Sequence, residues 1–223
     1  LQLKEKKLII FDLDGTLIDS GADLALALNA MLLALKRETF SEETIHTWVG
    51  NGAQTLVRRA LSGGVLIDER VDDELFDKAL EIFLDSYKEN VCVKTKAYEG
   101  VNATLQTLYK RGHTLAIITN KPYEFVRPIL EKLNLESYFS LILGGDSLDE
   151  KKPSPKPLLY ACSKLGISTQ NAVMVGDSKN DILAAKSAGM ASIGVNYGYN
   201  YGEDIATFEP EIVLENFAKI AEI

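Results

Sequence analysis

Four short stretches of this chain carry residues that could do chemistry together. Asp12 and Asp14 stand two apart in Phe11-Asp12-Leu13-Asp14-Gly15-Thr16, directly after the apolar run Leu8-Ile9-Ile10-Phe11. A second acidic pair lies in Gly176-Asp177-Ser178-Lys179-Asn180-Asp181. Its i, i+4 spacing lets both carboxylates reach one side of a first helical turn if a helix begins near Ser178. Carboxylates brought to one point repel each other unless a cation lies between them, and oxygen ligands of this kind suit Mg²⁺, which retains waters and shares phosphate oxygens. Thr119-Asn120 offers a hydroxyl and a backbone N–H, and Lys152 an ammonium, within Lys151-Lys152-Pro153-Ser154-Pro155-Lys156-Pro157. A phosphate held on one side by a metal and acidic groups needs a compensating cation on its other face. Each stretch also has an ordinary structural reading. Asp-Gly is a common turn signal, acids at a helix start complement the macrodipole, Thr119-Asn120 before Lys121-Pro122 suits a helix cap, and the three lysines suit a solvated loop.

The elements that must position these residues form a pattern. Leu8–Phe11, Leu115–Ile118, Leu141–Leu143, Ala172–Val175 and Ser192–Val195 are short continuous apolar runs, as expected of strands buried in a parallel sheet. Helical stretches fall between them at roughly 99–111, 122–134, 156–166 and 179–189. Strands alternating with helices predict an α/β fold, a Rossmann-like doubly wound parallel sheet. In such a sheet ligands bind outside the carboxyl ends of the strands, which is where all four stretches fall. Residues from about 20 to 90 break the rhythm, with helical patterns at 22–35, 41–48, 53–62 and 71–89 and no strand. Ser20 and Asp23 are read as the N-cap and capping box of the first of these. The chain thus leaves the sheet near Leu17 and returns near Lys94, which predicts a core of residues 1–17 and 94–223 and an inserted helical domain of residues 18–93.

Composition narrows the function. The 223 residues are 46% hydrophobic and 25% charged, a soluble globular mix with enough chain for a sizeable core. A net charge of −8 argues against a nucleic-acid partner. Cys92 and Cys162 have no metal-ligand spacing and are read as reduced thiols. Neither a secretory leader nor a run near the ~20 apolar residues of a membrane span is visible, so the expectation is a cytoplasmic protein, monomer or homodimer.

Taken together and in order, Asp12-x-Asp14-Gly15-Thr16, Thr119-Asn120, Lys152-Pro153-x-Pro155 and Gly176-Asp177-Ser178-x-x-Asp181 resemble the four motifs of the haloacid-dehalogenase-like (HAD) superfamily. The resemblance covers nearly the whole chain, and the helical insert looks like that superfamily's C1-type cap. Val49-Gly50-Asn51-Gly52-Ala53, Thr119-Asn120-Lys121-Pro122, Gly144-Gly145-Asp146-Ser147 and Tyr197-Gly198-Tyr199-Asn200 are similar to its phosphoglycolate phosphatase branch. The resemblance implies a phosphatase for a small phosphorylated metabolite, 2-phosphoglycolate foremost. Asp12 would be the nucleophile that becomes an aspartyl-phosphate, and Asp14 the general acid and base. Mg²⁺ would be held by Asp12, the Asp14 backbone carbonyl and Asp177, with Asp181 close by or acting through water. Thr119, Asn120 and Lys152 would bind the phosphoryl oxygens. From the cap, the loop at Gly50, Asn51 and Gly52, or Arg58, would meet the far end of the substrate, and the cap would hinge near residues 16–19 and 93–98.

His46 and His113 lie outside the motifs and read as surface or packed histidines. Trp48 and the Leu-rich helix read as cap core, and Tyr197, Tyr199 and Tyr201 as a surface loop, with a role closing the edge of the site as the lesser reading. Three competing functions remain from the sequence. They are a phosphatase for a sugar phosphate or nucleotide, a mutase of the β-phosphoglucomutase kind, and a non-catalytic binding module. The complete acidic set argues against the last.

Overall fold

A computed structural model describes residues 2–223. The chain begins with β1 (Leu8–Phe11) and a short strand β2 (Ile18–Asp19), then passes through four helices: α1 (Gly21–Ala34), α2 (Glu42–His46), α3 (Ala53–Ser62) and α4 (Asp73–Glu89). It returns through β3 (Lys96–Ala97) and alternates thereafter: α5 (Val101–Lys110), β4 (Thr114–Ile118), α6 (Tyr123–Lys132), β5 (Phe139–Leu143), α7 (Lys156–Leu165), β6 (Ala172–Gly176), α8 (Lys179–Ser187), β7 (Ala191–Val195) and β8 (Ile212–Leu214). Six strands make one parallel sheet in the order β5-β4-β1-β6-β7-β8. The five predicted strands are all present. The sixth, β8, is a three-residue edge strand that has too little apolar run to announce itself.

The continuous hydrophobicity of β1 follows from its place at the centre of the sheet, with cover on both faces. Side chains alternate along a strand. Ile9 and Phe11 pack into a core with Val101, Leu105, Val126 and Ile129 of α5 and α6. Leu8 and Ile10 pack on the opposite face with Leu158, Ala161, Ala184 and Ala185 of α7 and α8. This is the three-layer, doubly wound arrangement that the alternating pattern predicts.

The inserted helices have a core of their own. Leu24, Leu28 and Met31 of α1 meet Val57 of α3 and Phe83 of α4, together with Trp48; from the sheet side, Phe125 and Tyr199 also join this cluster. Two features tie the insert's ends together. β2 and β3 pair antiparallel, Ile18 with Ala97 and Asp19 with Lys96. Beside them the buried Asp23 carboxylate accepts from the Lys94 and Thr95 backbone N–H groups and from the Thr95 hydroxyl, at 2.6–3.0 Å. The expected Ser20–Asp23 capping box is therefore not formed. Asp23 is spent on the returning chain, and the Ser20 hydroxyl turns to Asp14. Among the described residues no helix is long and apolar enough to cross a membrane.

Candidate active site

Register places the chemistry. Phe11 pairs with Ile117 on one side and Val175 on the other. The residues that follow them, Asp12, Ile118-Thr119 and Gly176-Asp177, therefore arrive together at the carboxyl edge. The ladder runs one step further, with Asp12 N–H donating to Val175 C=O (3.0 Å) and Thr119 N–H to Leu143 C=O (3.0 Å). After β1 the chain must turn at once, and Gly15 takes φ +85° to do so. A Cβ there would stand 2.3 Å from Asp177 Oδ2, as would one on Gly198 from Asp177 Cβ. Two glycines thus let the backbone close around the Asp177 carboxylate.

Carboxylate oxygens of Asp12, Asp177 and Asp181 all lie within 4.8 Å of one another, and all three residues are buried. Lys152, itself buried, reaches into this group from the loop after β5. Its ammonium donates to the Ile118 carbonyl (2.5 Å) and to Asp181 Oδ1 (2.7 Å), and lies 3.0 Å from Asp12 Oδ1. Three carboxylates and one ammonium leave two negative charges, which a divalent cation would match. The electrostatics agree: Asp12 is pushed up to about 6, chiefly by burial and further by Asp181, with Lys152 opposing. Asp177 is raised by burial and by both neighbouring carboxylates. Asp12 Oδ1 makes no hydrogen bond of good geometry among the described residues. Three buried carboxylates converging on one point, with a single ammonium shared between two of them, suit a hard divalent metal. The residues fit such an ion.

The oxygens differ in how committed they are. Asp177 accepts one bond on each, from the Thr16 hydroxyl (2.8 Å) and the Tyr199 N–H (2.7 Å). Asp181 Oδ2 accepts from both the N–H and the hydroxyl of Ser178, the residue before α8, while Oδ1 holds Lys152. Asp181 thus caps its helix and orients Lys152 at once.

Above Asp12 the insert and the sheet enclose a cavity of about 30 Å³, room for a water molecule or two. Asp12, Asp14, Thr119, Asn120 and Lys121 line it from the sheet, and Gly50, Leu56 and Tyr87 from the insert.

A family model described as haloacid dehalogenase-like hydrolase matches residues 9–195. The chain belongs to that family. Among curated HAD-like relatives it is 49% identical to a phosphoglycolate phosphatase of Colwellia psychrerythraea, across 99% of this chain and 97% of that one. It is 46% identical to a phosphoglycolate phosphatase of Psychrobacter arcticus, across 98% and 95%. A crystal structure described as a predicted phosphoglycolate phosphatase from Haemophilus somnus 129PT superposes with a TM-score of 0.91 at 41% identity, covering 98% of this chain and 97% of the other.

Within this HAD-like scaffold, Asp12, Asp14, Thr119, Asn120, Lys152, Asp177 and Asp181 lie at one edge of the sheet. Asn120 uses its amide to donate to the Lys152 carbonyl (3.0 Å) and the Gly50 carbonyl (3.2 Å), so it joins the lysine loop to the insert. Gly50 and Gly52 line the cavity. Asn51 and Arg58 do not. The Asn51 carbonyl accepts from Lys151 (2.9 Å), which accounts for Lys151 and leaves Lys152 as the lysine beside Asp12. Arg58 sits over the Phe76 ring (3.8 Å to its centre) and pairs with the exposed Asp73 (3.3 Å), so its guanidinium is held within the helical insert by α4 rather than turned to the cavity.

Two residues have partners at the site that the sequence does not show. Lys121 is buried and its ammonium contacts both Asp14 oxygens at 3.1 Å. Burial alone would lower it, yet Asp14 reverses this and it is held above the usual lysine range. Tyr199, read as part of a surface loop, is buried; its hydroxyl accepts from the Ser20 and Gly21 N–H groups (3.0 Å each) and donates to Asp19 (2.7 Å). Nothing local in the sequence marks either role, because each depends on a partner more than a hundred residues away.

Proposed function

We propose that this chain is a phosphatase that hydrolyses 2-phosphoglycolate to glycolate and phosphate, with Mg²⁺ as cofactor. The observation that carries the proposal is the buried group of Asp12, Asp177, Asp181 and Lys152 at the carboxyl edge of the sheet. It is suited to a divalent cation and a phosphoryl group together. The substrate rests on relatives named phosphoglycolate phosphatase across almost the full length of both chains.

In this reading Asp12 attacks phosphorus, and the bond to the leaving oxygen breaks with its electron pair remaining on that oxygen. Asp14 gives the leaving oxygen a proton. A water molecule then attacks the phosphorus of the aspartyl-phosphate, Asp14 takes its proton back, and the Asp12 carboxylate is released with inorganic phosphate. The Thr119 hydroxyl, the Asn120 N–H and the Lys152 ammonium bind the phosphoryl oxygens. Asp12, the Asp14 carbonyl and Asp177 would hold Mg²⁺, which supplies neutralising charge for phosphoryl transfer. Asp181, whose oxygens are committed to Lys152 and Ser178, acts by aiming Lys152.

Residues 18–93 would be a cap that opens to admit substrate and closes to exclude water. Its hinges would be the β2–β3 pair and the Asp23 bonds to Lys94 and Thr95, where both connections to the sheet lie. Phosphate release from a panel of small phosphomonoesters, with Mg²⁺ and with chelator, tests the proposal. The highest kcat/KM is expected for 2-phosphoglycolate, with turnover lost on chelation. A tenfold preference for a sugar phosphate or nucleotide would overturn the substrate, and full turnover in chelator would overturn the cofactor.

A further inference from the structure

The insert contributes mainly apolar side chains to the cavity, among them Leu24, Val49, Leu56 and Phe83. Two groups depart from that character at one place. Lys121 is the one cation among the described lining residues, and Tyr87 is the one phenol. The Lys121 ammonium lies 4.6 Å from the centre of the Tyr87 ring. The Tyr87 hydroxyl is buried and makes no hydrogen bond of good geometry among the described residues. A buried phenol whose polar neighbour is an ammonium held by another group, with no well-formed bond of its own, has room for a ligand or a water as partner.

Lys121 has a partner, but one that conflicts with the chemistry. Both oxygens of Asp14 contact its ammonium, and one also accepts from Ser20 at 2.5 Å. The side chain that must exchange a proton with the leaving oxygen is held on both of its oxygens. A second carboxylate in the cavity would compete for the same ammonium.

We propose that Lys121 and Tyr87 receive the substrate's carboxylate, and that this contact draws Lys121 off Asp14 and frees Asp14 to serve the leaving oxygen. The proposal rests on the reading of the chain as a phosphatase for a small phosphorylated acid. A carboxylate replaces the charge that the ammonium gives up when it leaves Asp14, so the exchange strands no buried cation. A neutral tail of equal size cannot make that exchange, and Lys121 stays on Asp14. Lys121 is then a specificity-determining residue that acts on kcat as well as KM, because discrimination falls partly in the chemical step.

Two esters of equal length test this: 2-phosphoglycolate and 2-hydroxyethyl phosphate, which carries an alcohol where the first carries a carboxylate. The readout is the ratio of their kcat/KM values in Mg²⁺. A ratio on the order of 10²-fold or more is expected for the parent, falling to within a few-fold of unity in Lys121→Met, partly restored in Lys121→Arg, and reduced roughly tenfold in Tyr87→Phe. Product inhibition of the parent needs no variant to fold: glycolate should compete with substrate and ethylene glycol should not. A Lys121→Met enzyme that keeps the parent's ratio, or loses both esters by one factor, overturns the proposal, as does equal inhibition by glycolate and ethylene glycol. A parent that hydrolyses neither ester refutes the underlying reaction instead, so the two failures are told apart.

Discussion

Replacing Asp12 by asparagine should stabilise the metal-free protein while abolishing its turnover. Without a cation, Asp12 is a buried carboxyl raised from 3.8 to about 6, mainly by burial. Between those values the native chain still holds a proton that the unfolded chain has released, so stability falls as pH rises through the window and stays low above it. The shift of roughly two units corresponds to about 3 kcal/mol at neutral pH. Asparagine has nearly the same shape and stands in for the protonated form, so the Asp12→Asn variant escapes that cost. For a chain of this size 3 kcal/mol is about 6–12 °C in Tm. Thermal unfolding of parent and variant in chelator at about pH 7.5 should show the variant ahead by up to that amount, with the lead roughly halved at about pH 5. Saturating Mg²⁺ should shrink the lead or reverse it, because only the parent offers the Asp12 carboxylate to the ion. A variant no more stable than the parent in chelator at either pH would refute the idea that these carboxylates are held together against their own repulsion.

Asp14→Asn should bind Mg²⁺ nearly as well as the parent by calorimetry, since the ligand proposed there is a backbone carbonyl, yet turn over ~10²–10⁴-fold more slowly; a large loss of Mg²⁺ affinity would make its side chain a ligand. Asp23→Ala leaves two backbone N–H groups and the Thr95 hydroxyl without their acceptor, so chemical denaturation should show a loss of about 3 kcal/mol, and a loss under about 1 kcal/mol would show that the insert's ends are held by other contacts. Arg58→Ala should leave kcat/KM on 2-phosphoglycolate within about twofold, because its partner Asp73 is exposed and such pairs contribute little; a tenfold drop would return Arg58 to the substrate.

The sheet was legible because its strands are covered on both faces and so must be apolar throughout. Leu8–Phe11 and Ala172–Gly176 are buried along their whole length and stand out as unbroken runs. β8 and the two-residue pair β2–β3 leave no mark in the sequence because an edge or a pairing of that length carries no such run. The acidic positions were legible because each follows a strand directly, and a parallel sheet delivers all its strand ends to one edge. What could not be read was partnership at a distance. Asp23 looks like a helix-cap residue by position, but its acceptors' work lies with Lys94 and Thr95 across the whole insert. Lys121 looks like part of a helix start, yet it is buried against Asp14. Tyr199 sits among glycine, asparagine and other tyrosines, a loop composition, and is buried all the same because its hydroxyl meets the backbone where α1 begins. Arg58 has the right charge for an anionic substrate, but its neighbours Phe76 and Asp73 on α4 hold it elsewhere.

The central claim is that Asp12 carries the phosphoryl group during turnover. The most direct test is to quench the enzyme in acid while it hydrolyses 2-phosphoglycolate in Mg²⁺, reduce with borohydride, and map the peptides by mass spectrometry. An acyl phosphate is reduced where a free carboxylate is not, so the residue at position 12 should be recovered as homoserine. The modification should be absent when substrate is omitted and in the Asp12→Asn variant. Steady hydrolysis with position 12 unmodified, or with the reduced residue found at Asp14, Asp177 or Asp181, would contradict it.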